Sequence, residues 1–357
     1  MISPCFFGAL GLVAVLFYSR SPLKTNQTSN YKLFHLGQYW LSLQFAIRGY
    51  SYQYVVITPG VATITKRTVR GITYYYLEQS VRENGQVKKK SRYLGRTVPN
   101  DISLIKKEFS YELDRKKWFD LFDKIKLNYN KELSEIQKSA REEDLKEFSI
   151  RFTYDTQRIE GSTLTLNDTA QLLEKGTSPN GKPLSDIKEA EAHKRVFYEM
   201  LEQRKDISLQ LMLYWHRELF EETKTDIAGQ LRLRGVRITG SRFVPPSPVE
   251  IQPLLEEFFA WYKSNKGKTN PVVLAALAQL KFVIMHPFVD GNGRISRLLM
   301  NFVLNREGYP MFNIEYRDRS SYYRALERSQ VKGDENIFCQ WFFRNYLQEM
   351  KHYLELG

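Results

Sequence analysis

From Phe152 to the C-terminus, apolar residues recur three and four positions apart, interrupted at intervals by glycine and proline. The pattern predicts a series of helices. The first follows Thr165, with Asp168 three residues on as a partial capping box, and is closed by Gly176. Others are expected over residues 186–202, 209–222, 251–263, 271–285, 294–307, 321–331 and 337–354. The 294–307 helix stops at Gly308-Tyr309-Pro310, and its Leu298, Leu299, Phe302 and Val303 fall at helical spacing as core positions. One stretch of this half alternates instead. Residues 235–240 and then Phe243-Val244-Pro245-Pro246 are flanked by glycines and predict a short β-hairpin.

The first half is less uniform. Residues 101–150 again show helical spacing through Leu104, Phe109, Leu113, Trp118, Leu121, Phe122 and Ile125, and predict linker helices. In residues 65–98, Ile72, Tyr74 and Tyr76 alternate with their neighbours, Asn84-Gly85 is a hairpin-turn signal, and residues 87–94 supply a return strand. Residues 5–18 are an apolar run of fourteen, shorter than the roughly 20 needed to span a bilayer. No Lys or Arg precedes the run and no A-x-A site follows it, so it does not read as a signal peptide. Residues 19–60 show no organising pattern, and Pro59-Gly60 breaks the chain. The expected division is a poorly defined segment 1–64, a β-hairpin module 65–100, linker helices 101–150 and a helical domain 151–350. The fold class is mainly α.

Composition sharpens two points. The net charge is +13 over 357 residues, and much of the excess lies in one segment. Lys66, Arg67, Arg70, Arg82, Lys88, Lys89, Lys90, Arg92 and Arg96 face only Glu78 and Glu83 there. A basic hairpin with tyrosines suits nucleic acid or an acidic partner; the alternative is a solvated edge guarded by lysines. Cys5 and Cys339 are the two cysteines and imply no disulfide framework. The reading favours the cytoplasm, with weak membrane anchoring through residues 5–18 as the alternative. The five histidines show no metal-ligand spacing. A Walker A loop is absent, because Ser241-Arg242 follows the Gly235 to Gly240 gap.

The densest chemistry is His286-Pro287-Phe288-Val289-Asp290-Gly291-Asn292-Gly293-Arg294-Ile295-Ser296-Arg297. Gly291, Asn292 and Gly293 can turn their N–H groups toward one point at a helix N-terminus, a ready anion site. Asp290 beside them suits Mg²⁺ held against phosphate. Arg294 and Arg297, three apart, can fork onto phosphate. His286 can accept a proton near neutral pH.

This string resembles the signature of the Fic (Fido) family, HPF-x-(D/E)-G-N-(G/K)-R-x-x-R, with every defining position filled. The likeness extends over roughly residues 150–350 and implies a Fic-fold helical domain. Within it, the 235–246 hairpin resembles the flap that docks a target segment by strand addition, with Val236, Arg237 and Ile238 on it. The resemblance implies transfer of AMP from ATP to a Ser, Thr or Tyr hydroxyl of a protein target. His286 would be the general base and Asp290 the Mg²⁺ ligand. The N–H groups of Gly291, Asn292 and Gly293 would face the phosphates, Arg294 and Arg297 would hold the β- and γ-phosphates, and Tyr322, Tyr323 and Gln330 would line the nucleoside pocket. His193 and His216 are expected to be packing or capping residues.

A second string, Thr156-Gln157-Arg158-Ile159-Glu160-Gly161, resembles the family's inhibitory motif (S/T)-x-x-x-E-(G/N). It implies that Glu160 pairs with Arg297 and denies it to the γ-phosphate; the plain alternative is a helix end with Thr156 on a solvated face. Two other functions stay open from sequence: de-AMPylation with Glu160 positioning water, and a nucleic-acid-binding regulator whose Fic domain senses nucleotide. Partners implied are ATP, a hydroxyl-bearing protein, a second copy as a homodimer, and nucleic acid or an acidic partner at residues 65–98.

Overall fold

In the computed structural model, residues 42–47, 50–55, 62–83 and 86–356 are described. The chain divides into two compact units, residues 1–117 and 118–357.

In the first unit, β1 (Ser42–Ile47) and β2 (Tyr50–Val55) pair antiparallel. The 19–60 stretch thus contains strands that the sequence reading did not find. Their signal is the alternation of Leu43, Phe45 and Ile47, then Tyr50, Tyr52 and Tyr54, about Gly49. The predicted hairpin is part of a three-stranded antiparallel sheet, β3 (Thr63–Val69), β4 (Ile72–Glu83) and β5 (Gln86–Gly95), with β4 central. Arg70 and Gly71, at φ 50° and 77°, turn β3 into β4; two successive positive φ values match the right-handed strand twist. Glu83 pairs with Gln86 across Asn84-Gly85, which lie outside the described residues. Leu77 on β4 packs with Ala62 and with Phe109 of α1 (Ile102–Glu135). The unit boundary falls within α1, whose later residues Phe122 and Ile125 join the core of the second unit. The apolar run at residues 5–18 lies outside the described residues. No described helix is long and apolar enough to cross a membrane.

The second unit is helical. It contains α2 (Lys138–Ile159), α3 (Leu166–Lys175), α4 (Leu184–Glu202), α5 (Leu209–Phe220), α6 (Pro248–Asn265), α7 (Pro271–Met285), α8 (Asn292–Arg306), α9 (Arg319–Lys332), α10 (Glu335–Glu349) and α11 (Lys351–Glu355). The capping box at Thr165 is complete: Asp168 N–H donates to Thr165 Oγ1, and Thr165 N–H donates back to Asp168 Oδ2. Apolar on nearly every face, α7 is the central helix, as such a pattern requires. Leu298, Leu299, Phe302 and Val303 of α8 are core, as expected.

One predicted element is corrected. Residues 233–247 form no strand; they run as an extended loop with a turn closed by Ser241 N–H on the Ile238 carbonyl, 3.1 Å. The period-two pattern is present, but no ladder forms within the loop. Side-chain anchors from Arg232 and Glu327 hold it instead.

Candidate active site

The end of α7 and the start of α8 build the site. His286 caps α7 in the left-handed region, φ 50° and ψ 56°. That conformation is costly for a residue with a side chain, and it turns the chain sharply out of the helix. Asn292 clamps the loop that follows: its Oδ1 accepts from Phe288 N–H and its Nδ2 donates to the Phe288 carbonyl, each at 2.9 Å. Phe288 is fully buried and stacks on His216 at 3.8 Å. Gly291, at φ 80°, caps α8. A side chain there would strike Phe220, so glycine is required by packing as well as by φ. The first N–H groups of α8 have no carbonyl one turn earlier to receive them, which leaves an anion site.

His286 Nδ1 meets the Val283 carbonyl at 3.4 Å. A carbonyl only accepts, so Nδ1 carries the proton and Nε2 keeps its lone pair. Burial holds the imidazole pKa below its ordinary value, which keeps the ring neutral at pH 7. Arg232, almost fully buried, straps this corner to the flap loop. Its Nε donates to the His286 carbonyl at 2.7 Å, Nη1 to Arg234 and Nη2 to Pro246, while its N–H donates to Pro287.

Asp290 stays ionised. Burial alone would raise its pKa, but Arg294, Lys224 and the Gly291 N–H outweigh it and set the value at about 2. Its Oδ2 accepts from Lys224 at 2.7 Å; Oδ1 accepts from Arg294 at 3.0 Å and from Gly291 N–H. Arg294 is buried and also donates to Glu189 on α4 and to Gln157 Oε1 on α2. Glu189 pairs with Lys224 as well, at 2.9 Å. Sequence reasoning missed Glu189 and Lys224. Each stands in an unremarkable stretch, and only the fold brings them to Arg294 and Asp290.

Arg297 is fully buried. Nη2 donates to Glu160 Oε1 at 2.6 Å and to the Thr156 carbonyl at 3.2 Å, and Nε donates to Thr156 Oγ1 at 3.2 Å. Nη1 is buried without a hydrogen-bond partner. Thr156 is fully buried, so it is not on a solvated face. Glu160 caps the C-terminus of α2, and Gly161 leaves at φ 103°, where glycine is favoured. The Glu160 carboxylate occupies the place where a β-carbon on residue 293 would stand. An anion therefore already lies over the first turn of α8.

Tyr322 is buried, and its hydroxyl accepts from Gln279 Nε2 at 3.0 Å. Tyr323 is exposed and donates to the Ile159 carbonyl at 3.0 Å, beside Glu160. Gln330 lies on the same helix, α9, with its Nε2 buried and unpaired. On the flap loop, Arg237 is exposed and Val236 and Ile238 are half-buried. The loop is pinned to α9 where Arg242 N–H donates to Glu327, 3.0 Å. His193 and His216 are buried scaffold groups. His193 shares a hydrogen bond with Thr153 at 2.9 Å, and burial pushes its pKa down to about 3. Gly229 N–H donates to His216 Nδ1, so His216 Nε2 carries the proton and donates to the Asp290 carbonyl at 3.0 Å. Burial lowers the His216 pKa to about 4.

Residues 206–304 match the Fic/DOC family. Protein adenylyltransferase Fic of Drosophila melanogaster is 36% identical over 200 residues, which are 55% of this chain and 40% of that protein. The chain thus spans about two fifths of the curated relatives it matches. A Fic domain containing signaling protein from Bacteroides thetaiotaomicron superposes with a TM-score of 0.59 at 28% identity, over 65% of this chain and 96% of the other. Fic-1 from C. elegans gives a TM-score of 0.61 at 25% identity, over 73% and 79%. The motif, the buried arginines behind it and these likenesses agree: the chain contains a Fic domain of the Fic/DOC family.

Proposed function

We propose that this chain transfers AMP from ATP to a hydroxyl side chain of a protein target, and that Glu160 holds it in a low-activity state. The carrying observation is the carboxylate of Glu160 bound to Arg297 over the first turn of α8. A site that receives an anion there, beside a neutral imidazole, suits a polyphosphate and an attacking hydroxyl. The name of the Drosophila relative, protein adenylyltransferase, supports the reaction class.

In the reaction, the target oxygen bonds to the α-phosphorus and the bond to the bridging β-oxygen breaks. Pyrophosphate leaves, and the hydroxyl proton passes to His286 Nε2. Little covalent work falls to the protein, so placement and charge carry the rate. The N–H groups of Asn292 and Gly293 would face the developing charge. Arg297 Nη1, buried and unpaired, is a donor available to a phosphate oxygen. Arg294 would act mainly by fixing Asp290, since Glu189 and Gln157 already hold it. Tyr322, Tyr323 and Gln330 would border the nucleoside.

The residues fit Mg²⁺ with one adjustment. Mg²⁺ commonly takes one or two carboxylates plus substrate phosphates, and Asp290 is ionised. Lys224 now occupies its Oδ2 and would have to swing aside, which its long, part-exposed side chain permits. When bound, the metal would neutralise phosphate charge.

The flap loop narrows the target. From residue 227 to 249 it carries no acidic side chain, while Arg234 and Arg237 are exposed. Leu233 and Val244 are exposed too, at 92% and 70%. An acidic segment with apolar flanks would complement this loop, laid along its extended backbone.

Mass spectrometry after incubation with ATP and Mg²⁺ tests the proposal. Self-modification or target modification by the mass of AMP is expected. Neither in the wild type nor in Glu160→Ala would refute it. The reverse reaction has one observation in its favour: Glu160 lies close enough for its charge to act on His286. Release of AMP from a modified protein, lost in Glu160→Ala, would establish that reading instead.

A further inference from the structure

The β3–β4–β5 sheet lies outside the family match and has a face the reaction does not use. Strand alternation divides its side chains. Leu77 marks one face, covered by Phe109 of α1. On the opposite face, cross-strand register puts Arg67 beside Tyr74, Thr65 beside Tyr76, and Tyr76 beside Tyr93. The three tyrosines form a continuous aromatic group. Ring centroids are 5.4 Å apart for Tyr76 and Tyr93, and 6.1 Å for Tyr74 and Tyr93. Arg67 lies over the Tyr76 ring at 4.5 Å and is oriented by Glu78 at 2.5 Å. Tyr93 is 55% exposed. Ser91 and Lys89, two and four residues back from Tyr93 along β5, share this face and are exposed.

Those side chains are arranged for a particular chemistry. A face serving only solubility needs lysines and no cluster of partly exposed phenols. An acidic protein would be met by the cations alone and would leave the rings without a partner. Single-stranded nucleic acid uses both: bases stack on aromatic faces while phosphates follow the cations. A duplex hides its base faces and cannot use the rings. Charge points the same way, since residues 65–98 hold Lys66, Arg67, Arg70, Arg82, Lys88, Lys89, Lys90, Arg92 and Arg96 against Glu78 and Glu83. Arg92 is committed elsewhere, to Glu112 on α1.

We propose that the Tyr74, Tyr76, Tyr93 and Arg67 face of this sheet binds single-stranded nucleic acid by base stacking, with Lys89 contacting phosphate. The proposal rests on the first unit alone and is independent of AMP transfer.

The test uses the full chain and fluorescence anisotropy. The probes are labelled oligouridylate and oligothymidylate of roughly 20 nucleotides, long enough for one such site, and a duplex of the same length. Single strands are expected to bind more tightly than the duplex, and more weakly as salt rises from about 50 to 200 mM. Tyr93→Ala should weaken binding about tenfold or more, and Tyr93→Phe, which keeps the ring, should restore it. Lys89→Ala should lower the log–log salt slope by about 0.7, the value for one lost phosphate contact. Self-AMPylation should not change in any of these variants. The proposal is overturned if single strands fail to bind at low salt, if the duplex binds as well, or if Tyr93→Ala binds like the wild type. Equal loss in Tyr93→Phe and Tyr93→Ala would also overturn it, because the ring would then not be the determinant.

Discussion

Replacing Glu160 with Ala removes a competitor for Arg297 and leaves His286 and Asp290 in place. The pair is 2.6 Å long, with Arg297 1% and Glu160 24% exposed. Two unit charges about 4 Å apart at an effective dielectric near 20 attract by about 4 kcal/mol. Solvent on the Glu160 side reduces this to about 3 kcal/mol. ATP must displace that attraction to place its γ-phosphate on Arg297. Relief of about 3 kcal/mol corresponds to roughly a hundredfold in rate. The same change should destabilise the free protein, since Arg297 is left buried beside Thr156 alone. Breaking a buried pair costs about 3–5 kcal/mol. With the Thr156 bonds kept, the lower figure applies, and the melting temperature should fall by about 6–12 °C. ATP at about a hundred times its Kd should return about 2.7 kcal/mol. The assays are initial rates of self-AMPylation and thermal melts with and without ATP. A rate gain without lost stability, or lost stability without a rate gain, would break the link between competition and burial. The gain should also vanish in Glu160→Ala combined with Arg297→Ala. Equal rates in wild type and Glu160→Ala would refute the inhibitory reading.

Four further outcomes follow from the geometry. His286→Ala should lose about 10²–10⁴ in transfer rate while ATP binding by calorimetry is kept; in Glu160→Ala, where the rate is measurable, the rate should rise with pH to a plateau, with the midpoint of the rise below the ordinary imidazole value of about 6.5, because burial depresses the His286 pKa and only the neutral ring acts. Glu189→Ala should lower stability in urea by about 3 kcal/mol, since it strips a carboxylate from the buried Arg294, and Glu189→Gln should lose less. Arg234→Glu with Arg237→Glu should reverse a preference for acidic over basic target peptides without changing affinity for ATP; an unchanged preference would remove the flap charge from target choice.

The signature segment was legible because its groups are contiguous: base, carboxylate, nest and arginines occupy twelve residues, and short-range geometry brings them together. Helices were legible for a related reason. A 271–285 stretch begun by Pro271 and apolar except for Gln279 and Lys281 has few alternatives to a buried helix. The flap was half legible. Alternation and glycines marked an extended segment, but strand pairing needs a partner edge, and the loop is instead fixed by Arg232 to His286 and Pro246. Glu189 and Lys224 carried no local signal as site residues, and Arg232 stood out only as the end of the Gly229-x-x-Arg232 run that leads into the flap. Their roles come from contacts 105, 66 and 54 residues distant along the chain. A charged residue on an amphipathic helix looks alike whether it faces water or a buried arginine.

That distant shell has a consequence for regulation. Arg294 and Arg297 of α8 are both held by α2, yet by different depths of it. Gln157 and Thr156 are buried in the packed part of the helix, 3% and 0% exposed, and they bond to Arg294 and Arg297 directly. Glu160 is the cap, followed by Gly161 at φ 103° and held from outside by Tyr323 on the Ile159 carbonyl. Releasing Glu160 needs only the last turn to loosen, a local event that costs far less than unfolding. Releasing Thr156 and Gln157 would expose the core. The arginines therefore keep their orientation while the inhibitory carboxylate leaves, and the freed site is already arranged for phosphate. Weakening the outer latch should show this. Tyr323→Phe removes one hydrogen bond outside the arginine cluster, worth about 1 kcal/mol. It should raise self-AMPylation a few fold, well short of the Glu160→Ala gain, and should add nothing once Glu160 is gone. Full activation by Tyr323→Phe, or an added gain in the double variant, would place the control elsewhere than at the end of α2.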